Sequence, residues 1–316
     1  ARALNLDSML SLTRILVPTD FSPCADQALS HAAFLARDAG AALHLVHVVP
    51  VAAGYPMAGV RAEETEHRSE VRSRLYDLVE AHDLGDLEVE VHIDRGDDGV
   101  GATLLQAADR VDADLLTLGT HGRQGVRRFF LGSEAEEVIR GADRPVLAVR
   151  QQDDAQTPST VDHVLVPVDL SEHSLVALDH AVELARRYEA DLRLLHVVQP
   201  GPNYDLPGIY QGALPPQTDV VDALTRNAHQ ELNDLIEQVA LPAERIHKDI
   251  RHGNPPVEIL DTVAEEAVDM VVLASHGRSG LERFLMGSVA EKVIRSAPVP
   301  VFVVKAYGTS LVSRES

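Results

Sequence analysis

Short apolar runs alternate along the chain with stretches whose apolar residues fall at helical spacing. Residues 15–18 (ILVP) read as a short buried strand. Ser22 followed by Pro23 is a helix-start pair. Behind it, Ala25, Ala28, Leu29, Ala32, Ala33, Leu35 and Ala36 supply one apolar helix face. Residues 42–49 (ALHLVHVV) predict a second buried strand. Residues 61–82 are charged but keep Val71, Leu75, Leu78 and Val79 at helical spacing. Residues 87–93 (LEVEVHI) alternate as a half-buried strand does. A helix over 99–110, a strand over 113–118, a helix over 133–141 and a strand over 145–149 complete the order βαβαβαβαβ. Strands alternating with helices predict a parallel sheet covered on both faces, with ligands bound beyond the carboxyl ends of the strands.

The same pattern then repeats. RILVPTD at 14–20 matches HVLVPVD at 163–169, and LVHVV at 45–49 matches LLHVV at 194–198, both at an offset of 149. LGTHGRQGVRRFFLGS (118–133) matches ASHGRSGLERFLMGS (274–288), and RPVLAV (144–149) matches VPVFVV (299–304), at an offset of 155. The six extra residues of the second copy fall mainly in the Pro/Gly-rich stretch 200–216. Such a period is too long for a solenoid repeat and marks a duplicated domain. The expected fold class is therefore α/β: two tandem doubly wound, Rossmann-like domains, each a five-stranded parallel sheet with helices on both faces. The copies span 11–150 and 161–306, and the polar segment 151–160 (QQDDAQTPST) joins them.

Composition narrows the partners. With 28 basic and 49 acidic residues the net charge is −21. That field repels a phosphodiester backbone and anionic lipid, so neither nucleic acid nor a membrane is expected as a partner. Aromatic residues make up only 4% and Trp is absent, which argues against a base-stacking surface. Lysine occurs only at Lys248, Lys292 and Lys305. An acidic, Lys-poor surface suits a salty cytoplasm, where ions screen self-repulsion; an Ala- and Arg-rich coding bias gives the same composition. The single cysteine, Cys24, fits a reducing, cytoplasmic setting. The first ten residues, ARALNLDSML, lack the apolar core of a secretory signal.

The candidate chemistry follows strand four. Gly119, Gly122, Gly132 and Ser133 form the pattern G-x2-G-x9-G-S, ending at a helix start. Glycines admit close backbone approach. Free N–H groups and the dipole at a helix start favour an anion, and the Ser133 hydroxyl can donate to a phosphate oxygen. The same residues also describe a loop holding only water. The pattern is neither a Walker loop nor the dinucleotide G-x-G-x-x-G. Among the 15 histidines no metal-ligand spacing stands out, so no metal site is expected; His47 and His196 read as supports of the sheet. No nucleophile elbow occurs, and Cys24, although at a helix start, reads as an inert thiol.

The strand-one ending PTD, the strand-two ending LVHVV and G-x2-G-x9-G-S after strand four together resemble the universal stress protein family, in its tandem form with two such domains. The resemblance covers nearly the whole chain. It implies an adenine-nucleotide-binding α/β fold that takes ATP, with Mg2+ able to accompany the phosphates. It places Asp20 and Val48 at the adenosine end of copy one, and Gly119, Gly122, Gly132 and Ser133 around ribose and phosphates. His121 and Arg123, between the glycines and the helix, are either phosphate contacts or a solvated basic pair. Copy two retains Asp169, Val197, His276, Gly277, Gly287 and Ser288 but has Ala274 where copy one has Gly119. A Cβ there matters only if the backbone needs positive φ or very close ligand approach, so copy two is expected to bind nucleotide still, more weakly. Family members dimerise through their last strand. The tandem chain is thus expected to form an intramolecular pseudo-dimer, with pairing of two chains left open.

The implied function is an ATP-binding cytoplasmic stress-response protein, a nucleotide-dependent regulatory module rather than an enzyme. The alternatives are a slow ATPase, with His121 and Arg123 near the γ-phosphate, and a nucleotide-free interaction protein with a vestigial pocket.

Overall fold

The computed structural model describes residues 11–50, 61–122, 131–153, 159–199, 217–277, 286–305 and 307–312. Arg123 and the stretch 200–216 lie outside them. Copy one contains β1 (Arg14–Pro18), α1 (Pro23–Ala39), β2 (Ala42–Pro50), α2 (Arg61–Ala81), β3 (Val89–Gly96), α3 (Val100–Arg110), β4 (Leu115–Gly119), α4 (Ser133–Gly141) and β5 (Val146–Val149). Copy two repeats the order with β6 (His163–Pro167), α5 (Glu172–Arg187), β7 (Asp191–Val198), α6 (Gln217–Ile236), β8 (Ile246–His252), α7 (Pro255–Glu265), β9 (Met270–Ala274), α8 (Ser288–Ser296) and β10 (Val301–Val304).

Local sequence explains the element boundaries. Ser22 is the N-cap of α1, accepting from Ala25 N at 3.3 Å, with Pro23 opening the helix. Ser171 caps α5 in the same way, accepting from Ser174 N. The expected face of α1 is buried from Ala25 to Ala36. Val71 and Leu75 of α2 are buried, with Leu78 and Val79 packed against the same core.

Strand order shows the expected pairing of the two last strands within the chain. The two five-stranded sheets are not separate. They form one ten-stranded sheet, β3-β2-β1-β4-β5-β10-β9-β6-β7-β8. All pairings are parallel except β5 with β10, which run antiparallel with Val301 opposite Ala148 and Phe302 opposite Leu147. The last strand of each copy therefore finds its partner inside the chain, which removes two exposed edges. Two apolar layers run uninterrupted across both copies. One lies between the sheet and α1, α2, α5 and α6, the other between the sheet and α3, α4, α7 and α8.

The join is reinforced reciprocally. Arg150, just past β5, donates to Ser296 O at the end of α8 at 3.1 Å. Lys305, just past β10, donates to Ile139 O near the end of α4 at 2.5 Å. Each copy thus lends a cation to the carbonyl end of a helix in the other, where the helix dipole favours it. Phe34 stacks on Tyr188 at 5.5 Å, and Asp38 pairs with Arg187. Among the described residues, no helix is long and apolar enough to cross a membrane.

Candidate functional site

At the carboxyl ends of β1 and β6 the chain turns sharply. Phe21 has φ 61° and Leu170 φ 64°, a conformation that L-residues adopt at a cost. The preceding aspartate holds each turn. Asp20 Oδ1 accepts from Ser22 N at 3.0 Å, and Asp169 Oδ1 accepts from Ser171 N at 3.0 Å and Ser171 Oγ at 2.6 Å. A histidine from the next strand braces the turn from below. His47 Nδ1 donates to Thr19 O, and His196 Nδ1 to Val168 O, each at 2.7 Å. Both rings are buried, as expected for supports of the sheet.

The glycine motif meets this turn. An ideal Cβ on Gly122 would lie 2.8 Å from Asp20 Oδ2, and one on Gly277 would lie 2.5 Å from Asp169 Oδ2. The aspartate therefore faces the glycine loop directly, and a larger residue there would have to displace its carboxylate. The loop closes on itself where Gly132 N donates to Thr120 O and Gly287 N to Ser275 O, both at 2.8 Å. Gly132 and Gly287 are the N-caps of α4 and α8, and neither provides a side-chain cap. Ser133 and Ser288 are the first helical residues. The opening N–H groups of both helices are thus left for an anion.

Gly119 is also constrained by packing. Its φ is not positive, and a Cβ would meet Cys24 Sγ at 2.9 Å and Cys24 C at 3.0 Å. The glycine lets α1 pack against β4. In copy two, His173 stands at the Cys24 position and Ala274 at the Gly119 position. The change at Ala274 is thus accompanied by a change at the position that Gly119 packs against in copy one. Cys24 is buried, which raises its thiol pKa, and its Sγ donates to Val149 O at 3.4 Å.

His121 is not a solvated base. Its Nδ1 lies 2.9 Å from Thr120 Oγ1, and burial lowers its pKa, with Arg150 adding to the effect. Both effects favour the neutral ring. His276 takes the equivalent place, 2.9 Å from Ser275 Oγ. Ser275 is only 1% exposed, so this pair is no accessible nucleophile.

In copy two these residues enclose a cavity of about 510 Å3, within the ~300–1,000 Å3 typical of ligand pockets. Asp169, Val197, Ala274, His276, Gly277, Gly287 and Ser288 all line it. So do Leu224, Asn227, Ala228 and Glu231 of α6, and Pro255 and Ile259 of α7. Nothing in the sequence pointed to the α6 contribution, because only the fold brings this helix to the cavity. In copy one Asp20, Gly122, Gly132 and Ser133 are brought together in the same way, and Val48 is buried near the end of β2. Two contacts distinguish this cleft. Arg74 lies 3.8 Å over the Phe21 ring, and Ser133 Oγ donates to Glu134 Oε2 at 2.7 Å. Copy two has Val289 where copy one has Glu134.

A family model described as the universal stress protein family matches residues 11–150 and 160–305. A universal stress protein of Mycolicibacterium smegmatis is 29% identical over 300 residues, covering 92% of this chain and 96% of its own. One from Methanocaldococcus jannaschii is 33% identical over 143 residues, 45% of this chain and 81% of its own. The crystal structure of a universal stress protein from Archaeoglobus fulgidus superposes with a TM-score of 0.65 at 21% identity, covering 95% of this chain and 98% of that one.

Proposed function

The chain belongs to the universal stress protein family, and from that premise we propose that it is a cytoplasmic, adenine-nucleotide-binding regulatory protein whose bound ATP sets its conformation or partners. Its functional units are residues 11–150 and 161–306. The observation that carries the proposal is the copy-two cavity, where a turn aspartate, an uncapped helix start and a glycine loop converge around nucleotide-sized space. The adenosine lies toward Asp169 and Val197, and the phosphates lie on Gly277, Gly287 and Ser288. Asp20, Val48, Gly122, Gly132 and Ser133 do the same in copy one. A Mg2+ ion can accompany the phosphates and neutralise their charge.

Copy two is the stronger site, the reverse of what Ala274 alone suggests. In copy one Glu134 holds the Ser133 hydroxyl and sets a negative charge at the helix start that the phosphates need. Val289 does neither. Calorimetric titration with ATP tests both statements. Gly277→Val, which drives side-chain atoms into Asp169, should abolish the tighter site, and Glu134→Val should strengthen the weaker one. Unchanged affinity and stoichiometry in Gly277→Val would overturn the assignment. No binding in any variant would favour a nucleotide-free interaction protein. Phosphate release that Gly277→Val abolishes would promote the ATPase.

A further inference from the structure

At the opposite end of the strands from the clefts, three ligand-type side chains of copy one converge. His44 lies early in β2, in register with Glu90 of the edge strand β3, and His92 follows two residues after Glu90. Residues opposite one another, and residues two apart on one strand, point to the same face of a sheet. All three therefore lie on the face that α3 covers. His44 Nδ1 is 3.2 Å from His92 Nε2. Each of these nitrogens is 3.6 Å from Glu90 Oε2.

That triangle has the dimensions of a coordination polyhedron. Zn–N and Zn–O bonds of roughly 2.0–2.2 Å in a tetrahedron separate the ligand atoms by about 3.3–3.6 Å. Octahedral edges at the same bond lengths would be nearer 3 Å, by the same geometry. Two imidazoles and one carboxylate also make a donor set that zinc takes readily. The second nitrogen of His44, Nε2, is buried with no hydrogen-bond partner. The chemistry of this ring is therefore confined to Nδ1, which faces the other two ligands.

Copy two supplies an independent comparison. The offset of 149 aligns His44 with Arg193. In the β7–β8 pairing Arg193 stands opposite His247 and Leu195 opposite Asp249, so Asp249 takes the place of His92. The Arg193 guanidinium binds Asp249 at 2.5 Å and Glu266 at 2.7 Å. Copy two thus fills this position between its outer strands with a built-in cation. In copy one the nearby arginines are engaged elsewhere, Arg14 with Asp112 and Arg110 with Asp94.

We propose that His44, Glu90 and His92 bind a Zn2+ ion in copy one, which pins the edge strand β3 to β2 with water as the fourth ligand on the exposed side of Glu90. The site is separate from the nucleotide clefts. Val48, at the cleft end of β2, is four residues from His44, about 13 Å along an extended strand. The proposal does not rest on the nucleotide reading.

The test uses the full chain, stripped with chelator and free of nucleotide. Zinc is titrated against a chromophoric competitor, and metal content is measured after desalting. One ion per chain is expected, held at least tenfold more tightly than by Glu90→Gln or His92→Gln. Both substitutions leave the buried His44 in place, and circular dichroism of each variant checks that it folds. His247→Gln, at the matching position in copy two, should leave affinity unchanged. Co2+ loaded in place of zinc should give the intense visible absorption of a tetrahedral ion, lost in both copy-one variants. Substoichiometric metal, equal affinity in Glu90→Gln and His92→Gln, or a weak octahedral cobalt spectrum would each overturn the proposal.

Discussion

Gly119→Ala separates a packing role from a ligand role at one position. The added methyl would lie 2.9 Å from Cys24 Sγ, 3.0 Å from Cys24 C and 3.1 Å from Cys24 O. The sulfur can rotate away, although it would then give up its contact with Val149 O. The backbone atoms cannot. They belong to the first turn of α1, whose cap Ser22 is tied to Asp20. Relief therefore requires α1 to shift as a unit against β4. Forcing a methylene-sized group into a packed core costs about 1–3 kcal/mol. With an m value of about 4 kcal/mol/M for a chain of this size, a loss of about 2 kcal/mol moves a urea midpoint by about 0.5 M. Urea unfolding followed by circular dichroism reads this directly, with Ala274→Gly as the reciprocal variant. Ala274 already carries its methyl in the native packing of copy two, so removing it should cost only about 0.5–1 kcal/mol, the ordinary penalty of a strand glycine. ATP affinity should weaken only insofar as Asp20 moves with α1. Full stability in Gly119→Ala would refute the packing argument. Full stability combined with lost nucleotide binding would return Gly119 to the phosphate site.

Two further outcomes follow from the join between the copies. Asp38 and Arg187 occupy equivalent positions, 149 apart, yet face each other. Asp38→Arg should destabilise the chain by about 0.5–1 kcal/mol, the scale of a partly exposed pair. Adding Arg187→Asp should restore stability, and a double-mutant cycle with no coupling would remove the pair from the join. His31, at the seam beside Leu147, Met270 and Pro300, has its pKa lowered by burial to about 4. The folded ring stays neutral while the unfolded chain takes up a proton below pH 6.5. Stability should therefore fall as pH drops from 6.5 toward 4, by at most about 3 kcal/mol from this residue. His31→Gln should flatten that acid limb, and an unchanged slope between pH 6.5 and 4 would show that other groups set it.

Much of the architecture was legible because periodicity and caps agreed. Ser22–Pro23 marked the start of α1, the spacing from Ala25 to Ala36 marked its buried face, and α4 spans the predicted 133–141. The duplication made each element readable twice. What stayed hidden was contact between residues far apart in sequence. Nothing in the spacing of Asp20 and Gly122 says that a Cβ on one would strike the carboxylate of the other. The left-handed turns at Phe21 and Leu170 carry no glycine or asparagine to announce them. His44, Glu90 and His92 escape any linear ligand pattern because strand register brings them together.

The differences between the copies have a common physical origin. In a dimer of identical chains, every position at the two-fold axis meets itself, and every cleft has its duplicate. Fusing two copies removes both constraints. An acid can then face a base at the axis, as Asp38 faces Arg187. A cleft can retain an acid at its helix start, as Glu134 does, while its counterpart carries Val289. A position on the strand next to the sheet edge can hold an imidazole in one half and a guanidinium in the other, as His44 and Arg193 do. The ten-stranded sheet and its two continuous cores keep the halves joined while this divergence proceeds. On the proposed nucleotide reading, a protein built in this way would bind ATP in its two clefts with different affinities. The relative affinities of the Gly122→Val and Gly277→Val proteins would measure that difference.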